Sequence, residues 1–331
     1  MFKAVIVPFN IGAIVVSKQQ VSSVSAAFKY VPRRALMYVP ASDQRKLAKI
    51  ANLDADCVVL DAEDGVSFAA KPNARANAAA FFRQLNSTKV KLRNEVGFRV
   101  NSVQSGLLCD DLKAFEIAES LPCSFSLPKV DSVDILKEFC TIFRQNVTSK
   151  YKVEAHIPLI VWIESAQALI DMPAILTAAC AIATHSPLRV EAVVFGSDDY
   201  CADIGASRST EADESLYARQ KVVSVAKAHK LQAIDCVYID FKDEKGLQRQ
   251  AEQGAKFGFT GKQVIHPSQI SIVQKAFTPS MERISWAREL VNTFETQSAS
   301  GTGAITFQGQ MIDMPLYLQA KNLLAIVDNV K

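Results

Sequence analysis

Polar and charged side chains stand at the ends of successive short apolar runs along this chain. In chain order they are Asp61, Glu63, Asp64, Arg99, Asn101, Lys129, Glu164, Asp198, Asp199 and His266. Any one of them could be a solvated turn residue or a helix cap. Their recurrence at the same point of one run after another is better explained by a shared pocket of titratable groups, as in an active site.

Glu164 and Asp199 are single carboxylates at the ends of two neighbouring runs. Two carboxylate ligands, completed by water and substrate oxygens, suit Mg²⁺. A metal held there could chelate a 2-hydroxy or 2-keto acid and polarise its oxygen as a Lewis acid. Two other interpretations stay open at this point: Glu164 as an acid in the first turn of the next helix, and Asp199 as a helix N-cap.

Arg99 is the natural partner for an oxyanion, because a fixed guanidinium can stabilise developing enolate or alkoxide charge. It could also form a buried ion pair with the acidic cluster after the second run, and the two roles are compatible.

Arg45 and Lys49 are four residues apart, with Lys46 between them, in a segment predicted to be helical. This spacing places Arg45 and Lys49 on one helix face, where they could bind phosphates or simply be solvated.

Eight runs rich in β-branched and apolar residues alternate with helical stretches. The runs cover residues 35–40, 57–64, 96–100, 124–130, 157–165, 192–199, 233–240 and 262–267. Alternating strands and helices predict parallel βα units, and eight units predict an α/β fold closed as a TIM (β/α)8 barrel over residues 33–277. The carboxyl ends of all eight strands would then meet at one mouth.

A C-terminal helical extension, residues 278–331, follows the last predicted strand. Helices are expected over residues 280–294 and 314–329. The segment between them, residues 298–310, is rich in glycine, serine and threonine and predicts a flexible, lid-like loop.

The composition limits the classes of function. The formal net charge of +3 gives no reason to expect nucleic acid as a partner. None of the seven cysteines forms a CxxC pair, which is typical of free thiols in a reducing compartment. The longest uncharged run, residues 172–188, is too short and too polar to span a bilayer, so it is interpreted as a buried helix and loop and no membrane partner is expected.

The first 42 residues contain no acidic residue but several lysines, arginines and serines. This composition predicts a mitochondrial transit peptide over residues 1–30 and hence a location in the mitochondrial matrix. A disordered tail is the alternative for the same segment. Residues 5–16 are apolar enough to imitate a secretory signal, but the free cysteines argue against secretion.

Several long motifs resemble one enzyme family. They are RRALMYVPASD, VVLDAEDGV, FRVNS, LPKV, IES, AVVFGSDDY with IGA after it, and GFTGKQVIHPSQI. Together they are similar, in order, to the citrate lyase β-subunit-like branch of the HpcH/HpaI aldolase family, from about residue 32 to 315. Two positions depart from the family's pattern: Asp198 replaces a glutamate, and Ala41 and Ser42 replace glycine and asparagine.

The resemblance implies a TIM barrel, a bound Mg²⁺, a coenzyme A (CoA) thioester substrate and a homotrimer. It implies that Glu164 and Asp199 are the metal ligands and that Asp313 is the catalytic acid/base, for which a helix N-cap is the alternative. It also implies substrate contacts from Tyr38, Arg45, Lys49, Arg99, Ile265 and His266.

The ending TFQGQMIDMPL, with YARQK and QAIDCVYIDF, is similar to members of this family that cleave citramalyl-CoA to pyruvate and acetyl-CoA. In that reaction Arg99 and the metal would carry the oxyanion charge, and Asp313 would protonate the enolate carbon. A malate synthase-like side activity, which joins acetyl-CoA to glyoxylate, would use the same groups. Two other functions remain: a divalent-metal aldolase for free 2-keto-3-hydroxy acids, and a non-catalytic mitochondrial binding protein.

Overall fold

Eight parallel strands pair in chain order and close into a barrel in the computed structural model of this chain. The structure describes residues 32–88, 92–118, 120–148, 156–298 and 304–328. The barrel strands are β1 Ala35–Pro40, β2 Cys57–Asp61, β3 Glu95–Arg99, β4 Phe125–Leu127, β5 Ile157–Ile163, β6 Leu188–Phe195, β7 Gln232–Asp235 and β8 Gly261–Val264. The predicted TIM barrel is thereby confirmed.

Helices follow the strands and form the outer layer of the barrel. They are α1 Gln44–Leu47, α2 Lys71–Thr88, α3 Leu108–Ala118, α4 Val133–Phe143, α5 Ala166–Ile182, α6 Ser197–Ile204, α7 Leu216–Ala228, α8 Glu244–Phe257 and α9 Ile270–Ala276. None of the helices in the described ranges is both long and apolar enough to cross a bilayer. The predicted transit peptide, residues 1–30, lies outside the described residues.

Two apolar layers hold the barrel together. Side chains such as Trp162, Ile160 and Val59 fill its interior, while a larger cluster packs between the strands and the surrounding helices. Because both faces of each strand are buried, the strands are nearly continuous apolar runs. The strands were predicted from this pattern.

The strands end earlier than predicted at the mouth. Strand β2 stops at Asp61, β5 at Ile163 and β6 at Phe195, so Glu164 lies in the connection after β5 and Asp199 in helix α6. The chain turns into α5 from the N-cap Ser165 and into α6 from the N-cap Gly196, and after β2 the loop amides of Glu63 and Gly65 donate to Asp61. In the other direction, β6 begins at Leu188, before the predicted start.

The C-terminal extension contains more structure than predicted. Helices α10 Met281–Ser298 and α11 Met314–Asp328 enclose a hairpin of β9 Ile305–Phe307 and β10 Gln310–Ile312. The prediction of a flexible loop is therefore wrong for residues 305–310, while residues 299–303 lie outside the described part.

The turn of this hairpin explains why the segment was predicted to be a flexible loop. Gln308 and Gly309 both have positive φ, 49° and 76°, as in the primed turns that favour hairpins. Ile305 and Ile312 bury their side chains in a cluster of the extension itself. Gly309 thus serves a tight turn rather than flexibility.

A buried ion triad lies at the opposite end of the barrel from the mouth. The Arg33 guanidinium, fully buried, is 2.9 Å from both Glu95 and Glu191. These acids begin β3 and lie early in β6, so Arg33 joins distant strands just before β1 starts.

We predict that Arg33→Met lowers the free energy of unfolding by about 3 kcal/mol, because it leaves two largely buried carboxylates without their cation. Urea titration would measure the loss. Lys137→Met, which breaks the exposed Lys137–Asp134 pair on α4, is the control and should change little. Equal effects of the two substitutions would contradict a structural role for the triad.

Candidate active site at the barrel mouth

A cavity of about 620 Å³ opens at the carboxyl ends of the strands. Of the nine residues expected to bind the metal or the substrate or to act as acid/base, seven line it: Tyr38, Lys49, Arg99, Glu164, Asp199, Ile265 and His266. Arg45 and Asp313 are not among its lining residues. The argument from strand ends therefore brought together residues as far apart in sequence as Asp61 and His266, while Tyr38 was expected from the resemblance alone.

Arg99 and Asp61 form a bidentate ion pair at this mouth. Strand register places the two residues side by side at the ends of β2 and β3. Arg99 Nε lies 2.7 Å from Asp61 Oδ1, and Nη2 lies 2.9 Å from Oδ2. Nη1 is 3.2 Å from Glu63. The predicted ion pair between Arg99 and the acidic cluster is thus observed for Asp61 and Glu63.

Asp61 is fully satisfied by hydrogen bonds. Its two oxygens also accept the backbone N–H groups of Glu63 and Gly65, each at 2.9 Å. Burial favours the neutral acid, but the Arg99 guanidinium and these N–H groups hold the pKa of Asp61 below its ordinary value. Position 65 requires glycine, because a Cβ there would collide with Asp61 Oδ2.

Lys129 is a further residue of the mouth. Its backbone is left-handed, with φ 54°, a conformation that costs a non-glycine residue about 1 kcal/mol and often occurs at functional sites. The turn directs its N–H to Glu164 Oε2 at 2.9 Å. Its ammonium lies 2.8 Å from Glu63 and 3.2 Å from Asp64. These carboxylates raise the pKa of Lys129 above its ordinary value, although burial of the side chain opposes the rise.

Glu164 is a buried carboxylate in an acidic neighbourhood, 5% exposed. It precedes Ser165, the N-cap of α5, so the alternative of a first-turn helix acid is wrong. Burial raises its pKa to about 8; Arg99 opposes this rise, and Asp199 and Glu63 add to it. Glycine is required at position 196, because a Cβ would overlap the Glu164 side chain.

Asp199 lies in the first turn of α6, whose N-cap is Gly196, so the N-cap interpretation of Asp199 is wrong. Burial raises the pKa of this carboxyl, although Lys129 lowers it. Among the described residues, none donates a hydrogen bond to its side chain. Glu164 and Asp199 are therefore two partly desolvated acids, one with an oxygen already taken by Lys129 N–H. This donor set fits a hard divalent cation that takes one oxygen from each carboxylate.

The basic residues after β1 do not share one face as predicted. Helix α1 ends at Leu47 and the chain continues as a 3₁₀ turn over Ile50–Asn52, which shifts the phase of the side chains. Lys46 and Lys49 line the cavity, whereas Arg45 lines a neighbouring polar groove with Asn73. Lys46 was not predicted as a binding residue, although it is a basic residue within the same turn.

The backbone N–H groups of Ile265 and His266 are already engaged. Both donate to Gln269 Oε1, at 2.9 and 3.2 Å. The His266 ring stacks on Phe241, with centroids 4.6 Å apart. Any contact of this segment with a substrate must therefore use the side chains or the carbonyl oxygens.

Asp313 lies in the extension, at the start of α11. Its carboxylate is exposed and lies 3.4 Å from Leu316 N, while its carbonyl accepts from Tyr317 N at 3.1 Å. This is a weak N-cap arrangement. Within the described residues, Asp313 is not brought to the mouth of its own barrel.

Comparison with known proteins agrees with this geometry. The model of the family described as HpcH/HpaI aldolase/citrate lyase matches residues 34–267. The chain belongs to this family. Over 309 residues it is 45% identical to the mitochondrial citramalyl-CoA lyase of Homo sapiens, covering 93% of this chain and 89% of that protein.

Two solved structures of the family are similar to this one. The CitE protein of Mycobacterium tuberculosis, in complex with magnesium, acetoacetate and coenzyme A, superposes with a TM-score of 0.68 at 29% identity, covering 90% of this chain and 98% of that chain. A citrate lyase of Burkholderia xenovorans has a TM-score of 0.74 at 18% identity, covering 92% and 94%, and supports the fold alone.

We predict that Asp61→Asn lowers the free energy of unfolding by roughly 3 kcal/mol, because the amide turns an N–H donor towards Arg99 and leaves the guanidinium poorly paired. Asp64→Asn is the matched control: it changes the same acidic loop at an exposed position and should have a small effect. Chemical denaturation measures the free energy of unfolding of both variants. A larger loss for Asp64→Asn would refute the central role of the Arg99–Asp61 pair.

Proposed function

We propose that this chain is a magnesium-dependent carbon–carbon lyase that cleaves citramalyl-CoA to pyruvate and acetyl-CoA. The observation that carries the proposal is the meeting of Glu164, Asp199 and Arg99 in one cavity, in a chain 45% identical to a citramalyl-CoA lyase over most of its length. A carboxylate pair and a guanidinium are the groups that such a cleavage needs.

Glu164 and Asp199 are the proposed ligands of Mg²⁺. When bound, the ion would act as a Lewis acid towards the substrate's carboxylate and hydroxyl oxygens. The raised pKa values of both acids reflect carboxylates that lack a full counter-charge, as expected for ligands without their cation. Lys129 N–H orients Glu164 by holding one of its oxygens.

Arg99 is proposed to stabilise the oxyanion that develops as the carbon–carbon bond breaks. Asp61 engages Nε and one proton of Nη2, which leaves Nη protons for a substrate oxygen. The ion pair fixes the guanidinium before the substrate arrives, so little reorganisation is needed in the transition state.

Lys46 and Lys49 are proposed to bind the phosphates of the CoA moiety, since both line the cavity at its β1 side. The bidentate donors of Arg45 suit a phosphate as well, but its groove is separate from the cavity. Tyr38, Ile265 and His266 line the cavity and are proposed to shape the acyl end of the site.

Asp313 is proposed as the acid/base that exchanges a proton with the methyl carbon of acetyl-CoA. It would reach a mouth when the extension closes, either over its own barrel or over that of a neighbouring subunit in a homotrimer. The exposed apolar side chains of Met311, Met314 and Leu318 flank Asp313 and favour closure onto another surface.

The chain is proposed to act in mitochondria, in the matrix, because its human relative is named mitochondrial and its first 30 residues have the composition of a transit peptide. Residues 33–277 would be the catalytic domain, and residues 278–331 would carry the lid and Asp313.

The function is tested by turnover on a substrate panel with and without Mg²⁺. We expect cleavage of citramalyl-CoA to pyruvate and acetyl-CoA that stops when EDTA removes the metal. The panel also includes malyl-CoA, free 4-hydroxy-2-keto acids, and glyoxylate with acetyl-CoA. Cleavage of the free acids alone would indicate an aldolase, and no turnover of any member would indicate a binding protein.

Glu164→Gln and Asp199→Asn should each weaken Mg²⁺ binding by roughly 100-fold or more, because each removes a charged ligand. Isothermal titration with Mg²⁺ measures this without any turnover, and the kinetic Mg²⁺ requirement should shift in parallel. Asp171→Asn, which neutralises a half-buried carboxylate on α5 that accepts a hydrogen bond from Gln167, is the control. Unchanged Mg²⁺ affinity in either ligand variant would refute that assignment.

Asp313→Asn should lower turnover by roughly 10²–10⁴-fold, the usual contribution of a general acid or base. Asparagine keeps the size and can still cap α11, so the structural alternative is controlled. Exchange of the acetyl-CoA methyl protons with solvent should disappear, while Mg²⁺ affinity stays. Asp243→Asn alters the N-cap of α8 and should change neither. Full exchange in Asp313→Asn would reduce Asp313 to a helix cap.

A further inference from the structure

Gln263 is a buried amide within β8, at the floor of the cavity. Its Nε2 donates to two carbonyls, Phe195 O at 2.8 Å and Asp235 O at 3.0 Å. Both protons of the amide nitrogen are therefore used, and the reversed orientation would set an oxygen against two carbonyls. The ends of β6 and β7 thus fix the direction of Gln263 Oε1.

Oε1 of Gln263 accepts the Tyr38 hydroxyl at 2.7 Å. The Trp162 indole N–H, which can only donate, donates to the same hydroxyl oxygen at 3.1 Å. Burial raises the pKa of Tyr38, so the hydroxyl keeps its proton. That proton is directed to Gln263 and is not available to a substrate.

The Tyr38 ring, in contrast, faces the group that handles charge. Arg99 Cζ lies 5.0 Å from its centroid and 6.0 Å from that of Trp162. Asp61 holds one edge of the guanidinium and Glu63 lies 3.2 Å from Nη1; both contacts lie at the nitrogens and leave a residual rotation about the Asp61 edge. The Tyr38 ring, with Arg99 Cζ over it, restrains this rotation, and a desolvated cation–π contact adds attraction.

We infer that Tyr38, locked by Gln263 and Trp162, is a positioning residue that sets the tilt of the Arg99 guanidinium, rather than a hydrogen-bond donor to the substrate. This inference rests on the proposed role of Arg99 at the developing oxyanion. Gln263 and Trp162 then act through Tyr38, and the floor of the cavity becomes part of the apparatus that orients Arg99.

Substitutions of Tyr38 separate the ring from the hydroxyl. Tyr38→Phe keeps the ring, and Tyr38→Leu removes it. With citramalyl-CoA and saturating Mg²⁺, we expect kcat of Tyr38→Leu to be roughly 10- to 30-fold below that of Tyr38→Phe, with KM less affected, since the contact acts through transition-state charge. Equal kcat values in the two variants would show that the ring does not contribute to turnover and would overturn the inference.

Gln263→Met tests the lock. It removes the acceptor of the Tyr38 hydroxyl, so in the Tyr38→Phe background it should cost less kcat than in the wild type. Additive losses would show that Gln263 does not act through Tyr38.

Crystal structures of the variants provide a measurement that needs no turnover. The Arg99 guanidinium should keep its tilt in Tyr38→Phe and rotate about the Asp61 edge in Tyr38→Leu. An unmoved guanidinium in Tyr38→Leu would overturn the inference. If the wild type cleaves no thioester, the proposed function fails, and the orientation of Arg99 in these structures still decides whether Tyr38 positions it.

Discussion

The desolvation of carboxylates at the barrel mouth is the constraint on which the site depends. Asp61, Glu63 and Glu164 are each no more than 5% exposed, and an isolated carboxylate so buried either finds a cation or loses its charge. Arg99 and Lys129 supply cations for Asp61 and Glu63. Among the described residues, no cation pairs with Glu164, and its pKa rises accordingly. The fold thus builds an acidic position that a divalent ion would complete under the proposed function.

The fold could be predicted from the sequence because its physics is periodic and local. Strands buried on both faces are apolar runs whose positions can be located without knowing their partners. Their ends could not be located as well, since the ladder stops where polar side chains bond across strands, as at Asp61 and Glu164. The hairpin of β9 and β10 was missed because its glycine looked like flexibility until Ile305 and Ile312 were seen to share a core.

The residues of the site differ in the same way in how well they could be predicted from the sequence. Residues that follow strand ends, such as Arg99, Glu164 and Asp199, were predicted because barrel closure alone brings them together. The prediction that Arg45 and Lys49 share one helix face was wrong, because a change from α-helix to 3₁₀ turn reoriented the side chains over a few residues. Gln263 was overlooked, although an amide in a strand that is buried along its whole length is the signal of a buried hydrogen-bonding role.

The extension explains why Asp313 lies apart from the other predicted site residues. Its apolar cluster, which includes Phe294, Ile305 and Ile312, is separate from the core of the barrel. A segment with its own apolar cluster can move as a rigid body without exposing the core of the barrel. Its position relative to a barrel mouth is therefore set by surface contacts. Under the proposed function this separation is useful. The metal ligands and Arg99 would be fixed in the barrel, whereas Asp313 would reach the acetyl carbon only on closure, which would divide binding and proton transfer between two parts with separate apolar clusters.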